Sequence, residues 1–250
     1  MINGWLTIPS AWTAEIMANQ GWDSLVVDTQ HGLVGYESAV SMLQAISTTQ
    51  VIPLARAAWN EPVSIMKLLD AGAYGIICPM VNSREEAEAF VGACRYAPQG
   101  YRSAGPTRAT VYAGSDYLQH ANESIVTLAM IETAQAMRNL DDILSTPGLD
   151  GAYIGPTDLS ISLGLPPGGP LSQPRLAEAI AAVQAACIKH HVVAGIHTSS
   201  TDDALRMISM GFRFVTVMTD TRMLMAAAQA AVSTVRRQKP SAAALASVPY

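Results

Sequence analysis

Positive charge is scarce in this chain. Of its 250 residues, 15 are Lys or Arg against 20 Asp or Glu, a net charge of −5. Without a basic stripe or patch, a nucleic-acid partner is not expected. Cysteine is equally sparse. Cys78, Cys94 and Cys187 share no CxxC or other metal-type spacing. Cys78 follows the strand-like Gly75-Ile76-Ile77, and the other two fall in Ala-rich helical patterns. Three buried thiols fit a reducing compartment, so a cytoplasmic location is expected. Long apolar runs are missing too. Asn3, Gly4 and Pro9 interrupt any such run at the N-terminus, so no secretory leader is expected. The uncharged stretch Met223 to Val235 is too short and too weakly apolar to cross a bilayer.

What the chain does have is apolar bulk. Half its residues are apolar and 14% are charged, enough for a large core. So little charge also implies subunit contacts, because spare apolar surface usually has a partner. Short β-branched runs alternate with longer helical patterns. The expected strands are Ile2–Thr7, Ser24–Asp28, Val51–Ala55, Gly75–Cys78, Ile125–Ile131, Gly151–Ile154, Val193–Ile196 and Phe214–Val217. The expected helices are Ala11–Gln20, Tyr36–Ile46, Pro62–Asp70, Ser83–Arg95, Ala134–Leu144, Gln173–His190, Thr201–Ser209 and Arg222–Arg236. Strict alternation implies a parallel sheet with right-handed crossovers. Eight repeats in this length imply closure into a single-domain (β/α)₈ barrel over residues 1–238, with residues 239–250 a loose tail. Ser10 is placed to cap the first helix, and Pro62 sits early in the third. Ala97–Asn122 reads as one long irregular loop, and a loop of that length in a compact domain is usually functional.

Charged residues cluster at the expected C-terminal strand ends. Asp28 and His31 follow the second strand and Arg56 the third. Glu132 ends the run Ile125-Val126-Thr127-Leu128-Ala129-Met130-Ile131, and Asp158 follows Ala152-Tyr153-Ile154-Gly155-Pro156-Thr157. Barrel enzymes build their sites on that edge, and two carboxylates there are hard oxygen ligands for a divalent cation. A base candidate and a fixed cation stand beside them. Each residue also has a plain reading. Glu132 could cap the following helix, Asp158 could be an N-cap, Arg56 could be a rim ion pair, and His31 could be a satisfied rim histidine. Charged groups bury poorly unless paired, so four on one edge favour function.

The segments Val27-Asp28-Thr29-Gln30-His31, Arg56-Ala57-Ala58-Trp59-Asn60-Glu61-Pro62, Lys67-Leu68-Leu69-Asp70-Ala71-Gly72, Pro79-Met80-Val81, Ile131-Glu132-Thr133 and Ile154-Gly155-Pro156-Thr157-Asp158-Leu159-Ser160 together resemble the HpcH/HpaI family of metal-dependent pyruvate aldolases. The resemblance runs from about Gly4 to Arg237. It implies a (β/α)₈ barrel assembled as a homo-oligomer, commonly a hexamer built as a trimer of dimers, with the last helix packed on a neighbour. It implies reversible cleavage of 4-hydroxy-2-oxo acids to pyruvate, or hydroxypyruvate, and an aldehyde. Glu132 and Asp158 would hold the divalent metal (Mg²⁺, Mn²⁺ or Co²⁺), and backbone N–H groups around Gly155, Thr157 and Asp158 would receive the substrate carboxylate. Arg56 would stabilise the enolate, His31 would be the base, and Asp70 would raise its basicity. Arg108 matches a loop Arg associated with the distal carboxylate of acidic aldehydes, and equally reads as a solvated loop cation.

The chemistry supports these expectations. A divalent cation and a guanidinium at the 2-oxo oxygen stabilise charge that develops in the transition state, and neutral His can shuttle a proton near ambient pH. Asp70 ends a helix, where the macrodipole disfavours an anion by roughly 0.3–1 kcal/mol, and a nearby imidazolium would offset that cost. Schiff-base chemistry would need a buried Lys. Only Lys67, Lys189 and Lys239 are present, and none ends a strand. Two positions depart from the family pattern: Gln30 stands where many relatives have Glu, and Met130 where heptanedioate-type relatives have a substrate-contacting Gln. The rival readings are a citramalyl- or malyl-CoA-type lyase, for which no basic CoA phosphate site is evident, and a catalytically silent barrel that binds 2-oxo acids.

Overall fold

The computed structural model describes residues 1–238; the expected loose tail at 239–250 lies outside the described residues. Eight parallel strands close in sequence order into a barrel. They are β1 (Ile2–Leu6), β2 (Ser24–Asp28), β3 (Ile52–Arg56), β4 (Gly75–Cys78), β5 (Val126–Ile131), β6 (Gly151–Ile154), β7 (Val193–His197) and β8 (Phe214–Thr219). The helices up to the middle of the chain are α1 (Ala11–Ala18), α2 (Tyr36–Ile46), α3 (Pro62–Asp70), α4 (Arg84–Cys94), α5 (Thr107–Ala113) and α6 (Tyr117–Ser124). Those that follow are α7 (Ala134–Arg138), α8 (Leu140–Leu144), α9 (Pro156–Ser162), α10 (Pro174–Lys189), α11 (Thr201–Ser209) and α12 (Asp220–Gln238). The (β/α)₈ expectation therefore holds, and no helix among the described residues is long and apolar enough to cross a membrane.

Local chemistry sets the helix starts. Ser10, Ser83, Thr133 and Ser200 each accept a backbone N–H from the first turn of the helix they precede, as an N-cap does. Glu61 does the same for α3, and Pro62 supplies its first residue.

Side chains alternate across a strand, so one parity of each strand fills the barrel interior and the other faces the helices. The interior parity carries Trp5, Val26, Leu54, Ile77, Leu128, Met130, Tyr153 and Phe214, which form their own buried cluster. The opposite parity supplies Leu6, Leu25, Val27, Ala55, Ile76, Ala129, Ile154 and Val215 to the larger core under the helices. Continuing the interior parity by one step carries each strand to the barrel mouth. That step reaches Thr7 after Trp5, Asp28 after Val26, Arg56 after Leu54, Glu132 after Met130, Gly155 after Tyr153, and His197 after Gly195. The strand period alone therefore aims these residues at one cavity.

Three expectations need correction. Ala97–Asn122 is not one irregular loop but contains α5 and α6. Arg102 pins this excursion. Its buried guanidinium donates to Asp70 Oδ1 at 2.7 Å and to the Tyr117 hydroxyl at 3.0 Å, and lies 4.5 Å from the Tyr96 ring centroid. The excursion joins the end of α4 to the start of β5, so it belongs to the barrel end opposite the mouth. A role as a loop over its own active site is thereby lost. Second, the helix expected over Ala134–Leu144 breaks at Asn139 into α7 and α8, where the Asn139 side chain donates to the Asn82 carbonyl at 2.7 Å. Third, α9 was not foreseen, although Pro156 at its first position is a helix-start signal.

Candidate active site

A cavity of about 390 Å³ opens at the C-terminal ends of the strands. Its lining includes His31, Arg56, Glu132, Gly155, Thr157 and Asp158. Six of the eight residues expected at the site are thus brought together.

Asp28 organises one wall. It is almost fully buried and faces Arg56 in the β2–β3 register. Its Oδ1 accepts Arg56 Nε–H at 2.9 Å and its Oδ2 accepts Arg56 Nη2–H at 2.5 Å, a bidentate pair. Trp5 Nε1–H donates to Oδ2 at 3.1 Å, and the backbone N–H groups of Gln30 and His31 donate to Oδ1 at 3.0 and 3.2 Å. Burial alone would raise the Asp28 pKa. The Arg56 hydrogen bonds and charge, then the Trp5 and His31 donors, outweigh it and hold the carboxyl below its usual range. Asp28 thereby fixes both the guanidinium and the turn carrying His31. The Arg56 guanidinium stacks 4.9 Å from the Trp5 ring, and among the described residues its Nη1 has no partner.

Glu132 forms the opposite wall. It is buried, and its Oε1 accepts Met80 N–H at 2.7 Å. Met80 is one of two non-glycine residues in the left-handed region among the described residues, with φ 57°. Such a backbone is uncommon for a long side chain and typical of functional turns; here it turns the amide onto the carboxylate. No donor among the described residues reaches Oε2. A Cβ at Gly155 would overlap that oxygen and come within 3.0 Å of Met130 Cε, so only glycine lets β6 pass this close. Burial, opposed by the Met80 N–H and reinforced by the Asp158 charge, pushes the Glu132 pKa from its ordinary 4.5 up to about 7. The Arg56 charge lowers it, the smallest of these effects.

Among the described residues the buried carboxylate therefore has no ion-pair partner, while Asp158, in the first turn of α9, adds a second negative charge to the same cavity. This charge imbalance fits a divalent cation. The donor set is oxygen only, and no group of three or more His, Cys, Asp or Glu that could hold a metal occurs among the described residues. Two carboxylates with remaining positions for water or substrate suit Mg²⁺, Mn²⁺ or Co²⁺ better than a closed zinc site.

The raised Glu132 pKa has a thermodynamic sign. Between 4.5 and about 7 the folded carboxyl holds a proton that the unfolded one has lost, so stability falls as pH rises through that window. The cost is absent below 4.5 and complete above about 7, where it amounts to about 3 kcal/mol. In metal-free protein, the melting temperature of Glu132→Gln relative to wild type is expected to rise as pH is raised from about 5 to 8. A difference that stays constant over that range would count against a desolvated Glu132.

Two expected residues stand elsewhere. Asp70 ends α3 at the opposite end of the barrel and pairs with Arg102, so within one chain it does not serve His31. Arg108 donates to the Ala71 carbonyl and to Ser47 Oγ, both at 2.7 Å, and does not line the cavity. Their position follows from topology: both sit where helices return to strand starts.

Several residues were not foreseen. Asp28 is a strand-end residue that was given no role, and His197 was not among the expected site residues. His197 lines the cavity and packs edge-on against Trp5 at 5.0 Å. The period-2 alternation of β2 and β7 was the signal for both. Asp220 accepts the backbone N–H of Thr7 at 2.9 Å and of Ile8 at 3.1 Å, stitching the end of β8 to the end of β1. No local pattern announces such a closure.

Comparison with known proteins gives the same direction. A model of the HpcH/HpaI aldolase/citrate lyase family matches residues 3–227. A hydroxypyruvate/pyruvate aldolase of Rhizorhabdus wittichii is 43% identical over 236 residues, covering 93% of each chain. A 4-hydroxy-2-oxo-heptane-1,7-dioate aldolase of Shigella flexneri is 37% identical over 232 residues, covering 90% of this chain and 85% of the relative. The crystal structure of an HpcH/HpaI aldolase/citrate lyase family protein from Burkholderia cenocepacia superposes with a TM-score of 0.89 at 32% identity, covering 94% of each chain.

Proposed function

The chain belongs to the HpcH/HpaI aldolase/citrate lyase family and is a lyase of the aldolase kind, and on that premise we propose that it is a divalent-metal-dependent enzyme joining pyruvate or hydroxypyruvate reversibly to an aldehyde. The observation that carries this reading is the pair of carboxylates in the mouth, Glu132 and Asp158, with no ion-pair partner among the described residues, beside an Arg56 already paired with Asp28. Glu132 and Asp158 would hold the ion. Bound there, it supplies a Lewis acid for the negative charge that develops at the 2-oxo oxygen.

The chain's own groups do the rest. In the cleavage direction His31, acting through a water, takes the proton of the 4-hydroxyl. The C3–C4 bond breaks, the aldehyde leaves, and the electron pair passes to the 2-oxo oxygen as an enolate. Arg56 keeps Nε and Nη2 on Asp28 and offers Nη1 to that charge, a donor already in place when the charge forms. The first-turn N–H groups of α9 at Thr157 and Asp158 have no acceptor within the helix, so they are free to receive the substrate carboxylate. A proton returned to C3 completes the 2-oxo acid.

Assembly belongs to the same proposal. Asp70 and Arg108 lie beside one another at the end of the barrel away from its own mouth. Roles for them at His31 and at an acidic aldehyde require a second copy of the chain to present that end to this cavity. Exposed Leu224, Met225, Val232 and Val235 on α12 supply apolar surface for such packing. A hexamer arranged as a trimer of dimers is the assembly proposed.

The direct test is retro-aldol turnover. Purified protein with Mg²⁺, Mn²⁺ or Co²⁺ is expected to release pyruvate from a 4-hydroxy-2-oxo acid, and to lose that activity on chelation. Equal release after exhaustive chelation would refute the metal dependence, and no release from acidic or neutral substrates with any of the ions would refute the aldolase reading.

A further inference from the structure

A buried chain of hydrogen bonds runs along the barrel interior to the mouth. Ser24 Oγ–H donates to Asn3 Oδ1 at 2.8 Å, and Asn3 Nδ2–H donates to Thr216 Oγ1 at 2.8 Å. The Tyr153 hydroxyl donates to the same Thr216 oxygen at 2.7 Å. Ser24, Asn3, Thr216 and Tyr153 are all inaccessible to solvent, so each bond is sheltered from competition by water. The chain ends at His197, whose Nδ1 lies 3.1 Å from the Tyr153 oxygen.

Directionality decides the state of that histidine. A phenol has one proton, and that of Tyr153 is committed to Thr216. The contact to His197 is then a bond only if the imidazole donates, with its proton on Nδ1. Neutral imidazole has a single ring proton, so Nε2 is bare. Burial first, and then the Arg56 charge, lower the His197 pKa to about 4, so the ring is neutral at ordinary pH. Among the described residues nothing donates to Nε2, and the side chain lines the cavity.

The carboxylates of the mouth are occupied or assigned. Both Asp28 oxygens receive donors from Arg56, Trp5 and the Gln30–His31 backbone. Glu132 and Asp158 belong to the ion in the reading above. Met130, lining the cavity with Trp5, offers a thioether and no donor. A bare imidazole nitrogen is thus an acceptor still uncommitted, and it calls for a neutral O–H.

We infer that His197 Nε2 accepts a hydrogen bond from a substrate hydroxyl adjacent to the reacting carbonyl, so that the enzyme favours hydroxylated partners, and that Tyr153 is the positioning residue that fixes the tautomer. This rests on the aldolase reading above. The hydroxyl has two sources of the same chemistry: C3 of hydroxypyruvate or C2 of an α-hydroxy aldehyde.

The test compares wild type with His197→Phe, which keeps a flat ring but removes the acceptor. Two pairs separate the sources: hydroxypyruvate against pyruvate with one aldehyde, and glycolaldehyde against acetaldehyde with pyruvate. In wild type the hydroxylated member of at least one pair is expected to have the higher kcat/KM, and His197→Phe to cut that ratio roughly tenfold, as loss of one neutral hydrogen bond does. Tyr153→Phe is expected to reduce the same ratio by releasing the tautomer. Turnover with unchanged ratios in the His197 variant, or wild-type ratios near one in both pairs, overturns the inference alone. Absence of turnover in all pairs overturns the proposed function as well. Should either variant fail to fold, ¹⁵N NMR of wild-type protein decides: a proton on His197 Nδ1 is expected, and a proton on Nε2 overturns the inference.

Discussion

Glu132→Gln is expected to leave a folded barrel that no longer holds a divalent ion and has lost at least about a thousandfold in turnover. The substitution is isosteric. Its carbonyl can still accept the Met80 N–H now received by Oε1, so the turn after β4 keeps its anchor. What it removes is charge, and with it one of the two anionic oxygen ligands in the mouth. Two carboxylates are few for a divalent ion, so losing one leaves Asp158 alone and the affinity collapses. The metal-free fold does not suffer, because a buried carboxylate whose pKa is pushed to about 7 costs stability when ionised and a neutral amide does not. Metal titration by calorimetry and steady-state turnover, measured on one preparation, separate this from misfolding. Wild-type metal affinity in the variant would remove Glu132 from the ligand set.

Arg56→Lys is expected to lower kcat/KM by roughly a hundredfold or more, within the range for loss of one oxyanion donor. Charge is conserved, so a purely electrostatic role would survive the change. The guanidinium, however, works as a fork: Nε and Nη2 bind Asp28, Nη1 has no partner among the described residues, and the side chain lines the cavity. A lysine ammonium is a point donor and cannot hold both Asp28 oxygens while facing the substrate. The buried Asp28 then keeps one charged hydrogen bond in place of two, a loss of about 2 kcal/mol. A fall of roughly 5 °C in melting temperature is the corresponding structural signature. Full activity in Arg56→Lys would mean that the residue merely balances Asp28.

The fold was legible because β-branched runs and helix caps are local signals. Ser24–Asp28 and Gly75–Cys78 are apolar or β-branched strands bounded by turns, and Tyr36–Ile46, Pro62–Asp70 and Thr201–Ser209 carry clean starts and stops. α5 and α6 were not legible. Their segment is rich in Gly, Tyr, Ser and Thr, and what orders it is the Arg102 guanidinium reaching Asp70, 32 residues away. Such a pair leaves no periodic trace. α9 was not legible because seven residues carry too little apolar periodicity to mark a helix.

The mouth residues were legible as strand-end charges, and the alternation of each strand would have sharpened them. Counting by twos from Trp5, Val26, Leu54, Met130 and Tyr153 leads to the cavity. The same count from Gly195 leads to His197, which was not among the expected site residues. Arg108 was carried by resemblance alone, and Asp70 by resemblance together with its place at a helix end. The structure places both at the far end of their own barrel, because the ends of helices in a (β/α)₈ unit lie away from the ends of strands. Met80 was quoted only as part of a motif; its left-handed backbone is set by tertiary contacts and has no signature in a methionine.

The most direct test of the metal-enolate account is exchange of the C3 protons of pyruvate and hydroxypyruvate in D₂O, followed by NMR without any aldehyde. The account predicts no exchange with stripped protein, exchange on addition of Mg²⁺, Mn²⁺ or Co²⁺, and its disappearance in Glu132→Gln. Exchange that persists after chelation or in that variant would contradict it, as would failure of both acids to exchange with every ion.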